Sequence, residues 1–255
     1  MECHVRLHAI TVAIVITLGV AVSLVTSTVV AARAYRANGR EAVRRDQTIV
    51  VKGSTRQRIV SDRAVWQIEV GGRGAELREA FGNLATATER VRRFLGDMGF
   101  RDAEIGLAAI RTTEHYARDA KGNRTREVAE YSLGRQFTVT TADVQAVNQS
   151  AGRVTELLQE GLHVISYAPR YYYTQLAQLK IDLMAAASAD ARARAEQIAT
   201  SAGCRLGELR DARMGVLQVT EPLSTDVSDY GLYDTDTIDK DVQAVVTATF
   251  GIAVE

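Results

Sequence analysis

Residues 59–71, with the sequence IVSDRAVWQIEVG, alternate between two kinds of side chain. One side of the alternation is apolar and is formed by Ala64, Trp66, Ile68 and Val70. The other side carries Gln67 and Glu69 beside Val65. Because successive side chains of a strand point to opposite faces of the sheet, this pattern predicts a strand with one apolar face. Residues 48–53 predict a shorter strand that ends at a glycine.

Three stretches follow the helical period instead. Residues 76–98 carry an apolar stripe that repeats every three or four positions, formed by Leu77, Ala80, Leu84, Ala87, Val91 and Leu95, with Phe81 and Phe94 flanking it. Residues 143–160, with Asp143 placed to cap the first turn, and residues 175–202 are the other predicted helices. A glycine follows each stretch, at positions 99, 161 and 203, where a helix is expected to stop.

Further strands are predicted between and after the helices, at about 105–116, 128–141, 163–173, 206–219 and 242–254. Several of them are joined by short turns. Together these elements predict an α+β fold with antiparallel sheets and three main helices. The strand and helix order of residues 48–116 recurs loosely at 128–173, which suggests an internal duplication.

The segment before the folded part predicts a membrane anchor. Residues 9–32 contain no charged side chain, and as a helix they would be about 36 Å long, enough to cross a hydrocarbon core of about 30 Å. A cleaved signal peptide has a shorter apolar core of about 7–15 residues, so one uncleaved N-terminal transmembrane helix is favoured over a cleaved, soluble form. The predicted organisation is a tail at 1–8, the anchor at 9–32, a linker at 33–47 and one domain at 48–255.

The predicted linker is rich in arginine. These side chains are candidate contacts to anionic lipid headgroups, worth about 1 kcal/mol each near a membrane surface; a solvated linker is the alternative. The candidates are Arg33, Arg36, Arg40, Arg44 and Arg45.

Charge is balanced overall, with 31 basic and 31 acidic residues. Residues 1–135 hold 22 Lys and Arg against 15 Asp and Glu, whereas residues 136–255 hold 9 against 16. This asymmetry would favour head-to-tail association between copies, although a chance distribution of surface charge explains it equally well. No concentrated basic face is evident, so nucleic acid is not an expected partner.

Motifs for chemistry are missing from the sequence. It contains no GxSxG, Walker loop, HExxH or GxGxxG pattern, which predicts no catalytic residue, no cofactor, no metal site and no enzyme activity. Tyr171, Tyr172 and Tyr173 form a candidate interaction surface because exposed tyrosines are good contact anchors; ordinary sheet packing is the alternative. The acidic segment 221–241 lacks the calcium-loop pattern and predicts a solvated, mobile loop.

Several segments resemble a known family in their order and spacing. They are residues 49–54 (IVVKGS) with 62–68 (DRAVWQI), residues 100–105 (FRDAEI), and residues 189–199 (ADARARAEQIA) followed by Gly203 and by Leu206 with Gly207. Together with the last strand, they resemble the SIMPL-domain family over about residues 48–255. The acidic segment 221–241 departs from the family pattern, since many relatives are rich there in Pro, Gly or Ala.

The resemblance implies an exported bacterial envelope protein without transferable catalytic residues. Relatives are mostly uncharacterised, some are linked to stress protection, and ring-like homo-oligomers are known among them. It favours an inner-membrane protein with its C-terminal domain in the periplasm, although the positive-inside rule alone would place the arginine-rich side in the cytoplasm. The expected function is a membrane-anchored, self-associating scaffold or interaction protein. A periplasmic module that binds a ligand or another envelope protein is the alternative, and a hydrolase with a non-standard site is less favoured.

Overall fold

A computed structural model describes Ser23, residues 26–33, Tyr35 and residues 47–253. The helices of the folded part are α1 (Leu77–Asp97), α2 (Val144–Arg153) and α3 (Leu176–Ser201). The strands are β1 (Thr48–Val60), β2 (Arg63–Gly74), β3 (Ile105–Leu107), β4 (Arg111–Arg118), β5 (Arg124–Thr141), β6 (His163–Ser166), β7 (Arg170–Tyr172), β8 (Arg205–Met214), β9 (Gln218–Thr220), β10 (Leu232–Tyr233) and β11 (Asp239–Ala253). The α+β class is therefore confirmed.

The described residues divide into two compact units. One contains the described residues up to Gly53 with Ser188–Arg213 and residues 246–253, and the other contains Ser54–Ala187 and Met214–Val245. The sequence predicts one domain over residues 48–255, and that boundary stays a prediction.

A six-stranded sheet lies in the larger unit. Its order is β3-β5-β2-β6, with β4 also paired to β5 and β7 also paired to β2. Strand β2 pairs antiparallel with β5 from Ala64 opposite Thr141 to Gly74 opposite Tyr131. As the alternation predicts, Ala64, Trp66, Ile68 and Val70 are fully buried in the main core. The indole Nε1 of Trp66 donates to Ser166 Oγ at 3.1 Å, so its single polar group is satisfied.

Helix α1 covers the apolar face of this sheet. Its buried stripe contains Ala80, Leu84, Ala87, Val91, Phe94 and Leu95. Gly72 permits the close approach, since a Cβ atom there would lie only 2.2 Å from the backbone nitrogen of Leu84. Leu77 and Phe81, which the sequence placed on or beside the stripe, are instead about half exposed.

The second sheet has five strands in the order β1-β11-β9-β10, with β8 also paired to β11. One pairing departs from the predicted antiparallel sheets, because β10 pairs parallel with β9, Leu232 lying opposite Gln218. The loop after β9 must return to the end of the sheet where β9 begins, since the two short strands run in the same direction. Two smaller apolar clusters accompany the main core, one within each unit.

Several predicted elements have different bounds in the structure. The helix predicted over 143–160 is α-helical only to Arg153 and continues as a 3₁₀ helix over Val154–Glu160. The strands predicted over 105–116 and 163–173 are each divided, into β3 and β4 and into β6 and β7. All the strands from β2 to β7 belong to one sheet, and the internal duplication stays a prediction.

The predicted anchor lies mostly outside the described residues. Of residues 9–32, only Ser23 and residues 26–32 are described, and they are helical. Among the described residues, no helix has the length and apolar character needed to span a bilayer.

Candidate interaction surfaces

An apolar groove lies between α1 and the beginning of β4. Its volume is about 570 Å³, and it is lined by Leu77, Arg78, Phe81, Ile110, Thr112 and Leu133. Leu77 is 50% exposed and Phe81 is 53% exposed. Exposed apolar surface of this kind, next to the guanidinium of Arg78, is typical of a protein interaction site.

Strand β4 forms one edge of the six-stranded sheet beside this groove. Among the described strands it pairs only with β5, and residues 111–115 are exposed. An edge strand presents unpaired backbone N–H and C=O groups, which another chain can use. Arg111 and Glu114 place charge along this edge, which is a common means of limiting non-specific pairing.

The β9–β10 loop, residues 221–231, exposes a second apolar surface. Leu223 is 82% exposed, Val227 75% and Tyr230 97%. The loop also carries Glu221, Asp226 and Asp229 and no basic residue. It is thus an acidic loop with large apolar side chains, whereas the groove is apolar with a basic residue at its rim.

Buried polar side chains hold the backbone of this loop. The amide of Gln218 accepts from the Leu232 N–H at 3.0 Å and donates to the Ser228 carbonyl at 2.7 Å. Asp241 Oδ2 accepts from the N–H of Leu223 at 3.3 Å, and Leu223 has a φ of 67°, a left-handed conformation that is rare for leucine. The sequence predicts a solvated, mobile loop; the structure shows an exposed loop whose backbone is anchored.

Two carboxylates of the acidic segment 221–241, those of Asp234 and Asp241, form ion pairs while largely shielded from solvent. Asp241 is buried and accepts from Arg58 Nε at 3.0 Å and Nη2 at 3.3 Å, and this pairing with Arg58 holds the pKa of Asp241 below its usual range. Lys240 is fully buried and donates to Asp234 Oδ2 at 2.9 Å. Burial alone would raise the pKa of Asp234, but hydrogen bonds from Thr237, Asp236 and Lys240 lower it. These ion pairs therefore fix residues 234–241, the part of the chain that follows the loop.

The three consecutive tyrosines do not form one exposed surface. Tyr171 is buried in the main core, and its hydroxyl donates to Asn148 Oδ1 at 3.3 Å. Tyr173 packs against a different apolar cluster. Only Tyr172, half-buried on the other face of β7, lines an open pocket.

The arginines proposed as lipid contacts are largely untested by the structure. Arg33 is described and exposed, whereas Arg36, Arg40, Arg44 and Arg45 lie outside the described residues. Among the described residues, no group of three or more His, Cys, Asp or Glu side chains is arranged to hold a metal ion.

Sequence patterns did not reveal the groove. Phe81 was recognised only as a flank of the helical stripe, and the position of residues 110–112 depends on how β4 pairs with β5. The position of Phe81 beside the apolar stripe of α1 was the one feature of the sequence that could have indicated the groove.

The fold and these surfaces can be set beside known proteins. Residues 49–250 match the model of the SIMPL family, which is described as a protein of unknown function (DUF541). A search of curated proteins returned no match. Since the match covers most of the chain, the protein belongs to the SIMPL family.

Proposed function

We propose that this protein is a single-pass, membrane-anchored protein of the bacterial envelope whose SIMPL domain self-associates head to tail in the periplasm. The observation that carries the proposal is the pair of exposed apolar surfaces with opposite charge. The groove of one copy, with Phe81 and Arg78, would receive the β9–β10 loop of the next copy, with Tyr230 and its acidic neighbours.

Charge favours this pairing over a symmetric one. A groove meeting a groove would place Arg78 against Arg78, and a loop meeting a loop would bring carboxylates together. Pairing groove with loop instead brings opposite charges close while apolar area is buried. Such a heterologous contact leaves one unused surface at each end of a dimer, so association continues until a ring closes or a filament forms.

Anchoring of the loop supports its role as the inserted element. Gln218 and Asp241 fix the loop backbone within a single chain, so ordering this segment on association would cost less conformational entropy. Tyr230 is suited to act as an anchor because tyrosine is enriched among the residues that dominate binding energy.

Single substitutions on the two surfaces test this proposal. Phe81→Asp in the groove and Tyr230→Asp in the loop should each lower the mass of the full-length protein in detergent, measured by sedimentation velocity. Ile181→Asp is the matched control, since Ile181 is an exposed aliphatic residue of α3 at 61% exposure that neither lines the groove nor belongs to the loop. Equal thermal unfolding midpoints would show that all three variants fold.

Mixing the two disrupted variants separates head-to-tail contact from every symmetric arrangement. The Phe81→Asp protein keeps an intact loop and the Tyr230→Asp protein keeps an intact groove. An equimolar mixture should therefore form a one-to-one dimer and nothing larger. A mixture that stays monomeric, or single variants that keep the wild-type mass, would contradict the proposal.

A further inference from the structure

A pocket lies at the edge of the six-stranded sheet opposite to β4. Its volume is about 530 Å³, within the usual range for small-molecule sites. It is lined by Val65 and Gln67 of β2, by Tyr167, Arg170 and Tyr172 around β7, and by Asp236.

Strand register places these side chains on one face. Val65 lies opposite Arg170 and Arg63 lies opposite Tyr172 in the β2–β7 pairing, so they share the face that α1 leaves uncovered. Trp66, at the intervening position, points into the core. The floor of the pocket is thus one face of β2, and the opposite face of the same strand contributes to the main core.

One wall of the pocket is already fixed without a ligand. The backbone N–H of Tyr167 donates to the Gln67 carbonyl at 3.0 Å, and the Tyr167 hydroxyl donates to Glu69 Oε2 at 3.1 Å. Glu69 is itself held by an ion pair with Arg111. A wall positioned in advance reduces the entropic cost of binding.

The pocket contains two opposite charges that do not neutralise each other. Arg170 and Asp236 both line it, yet no ion pair joins them among the described residues. The guanidinium of Arg170 also has no hydrogen-bond partner in that part of the chain. A ligand that presents a carboxylate to Arg170 and a cation to Asp236 would satisfy both.

We infer that this pocket binds a small zwitterion, an amino acid or a short peptide with free termini. Its carboxylate would form charge-assisted hydrogen bonds with Arg170. Its ammonium group would face Asp236, and Tyr167 and Tyr172 would flank the remainder, where aromatic faces also attract a cation. No lining residue of this pocket belongs to the groove or to the β9–β10 loop, although Asp236 also lines a neighbouring cavity with Glu221, Ser224 and Asp226 of that loop.

Binding of the dipeptide Ala-Ala to the full-length protein in detergent tests the inference. Saturable binding is expected by calorimetry. The fluorescence of Trp66, the only tryptophan, should change as well. Its indole is hydrogen-bonded to Ser166, and the next residue, Tyr167, lines the pocket. N-acetyl-Ala-Ala and Ala-Ala amide each lack one charge and should bind about tenfold more weakly or worse, as expected for losing a hydrogen bond to a charged group.

Variants assign the contacts and separate this inference from the proposed assembly. Arg170→Gln and Asp236→Asn should each weaken Ala-Ala binding about tenfold, while Arg93→Gln, an exposed arginine of α1, should leave it unchanged. Binding should persist in the Phe81→Asp variant, so the two proposals can fail independently. Absence of saturable Ala-Ala binding at millimolar concentration would overturn the inference, as would equal binding of the capped dipeptides or undiminished binding by Arg170→Gln.

Discussion

Gly72 lies where helix α1 comes closest to strand β2. A Cβ atom at this position would lie 2.2 Å from the Leu84 nitrogen and 2.4 Å from the Ala80 carbonyl oxygen. Gly72→Ala must therefore push the helix away from the sheet, and we expect the free energy of unfolding in urea to fall by about 1–3 kcal/mol.

Gly82→Ala provides the control for this prediction. Gly82 lies on the exposed side of α1, and a Cβ atom there would meet no other atom within 4 Å. The same substitution should stabilise the protein there by up to about 1 kcal/mol, because alanine is the better helix former. Equal effects at the two glycines would show that α1 does not pack as described.

Glu104 links stability to pH through its hydrogen bonds. Its carboxylate accepts from the side chain of Arg101 at 3.1 Å and from Thr141 Oγ1 at 2.6 Å, which lowers its pKa from 4.5 to about 2. A carboxylate with a lowered pKa contributes stability that is fully present above its unfolded value and is lost as the pH falls toward its folded value.

We therefore expect Glu104 to contribute to the loss of stability between pH 4.5 and about 2. Urea unfolding at a series of pH values should give a shallower decline over this interval for Glu104→Gln than for the wild type. Glu127→Gln, at an exposed position of β5, is the control and should keep the wild-type slope. Identical slopes for all three proteins would contradict the assignment.

The β9–β10 loop is an element whose backbone is held by the buried amide of Gln218 together with Asp241. Replacing Gln218 by methionine removes the bonds to the Leu232 N–H and the Ser228 carbonyl while keeping a side chain of similar length. We expect faster amide hydrogen exchange at Leu232 and weaker self-association, with α1 still protected. Unchanged exchange at Leu232 would show that Gln218 does not hold the loop.

Elements with a strong local pattern could be predicted from the sequence. The alternation at 64–70 correctly gave the buried face of β2, and Asp143 caps α2 as expected, accepting from the Ala146 N–H at 2.9 Å. Both features depend on residues that are close together in the sequence, so local sequence patterns are sufficient to predict them.

Features that depend on distant residues were not predictable in the same way. The parallel pairing of β9 with β10 follows from the path of the intervening loop. The anchoring of Leu223 in that loop depends on Asp241, which lies in β11. The pocket around Arg170 needs the register of β7 against β2 as well as the position of Asp236. Tyr171 was assigned to a contact surface because the sequence alone does not reveal that it lies opposite Ala64, on the buried face of β2.

At the scale of the whole molecule, a predicted anchor precedes a domain that presents two complementary surfaces. The anchor at residues 9–32 and the periplasmic position are proposals that rest on the sequence and on the family resemblance. If copies are held in one membrane, their domains face the same side, which raises the effective concentration for the groove and the loop to meet.

Whether the protein is anchored and self-associates is measured by the mass of the full-length chain purified from membranes in detergent. Light scattering should be combined with intact-mass spectrometry, so that the assembly and the state of the N-terminus are measured on the same sample. Anchored self-association predicts a discrete oligomer built from chains of 27.8 kDa that retain residues 9–32. A monomer that has lost about the first 30 residues, the length expected for a cleaved leader, would contradict both the anchor and the self-association.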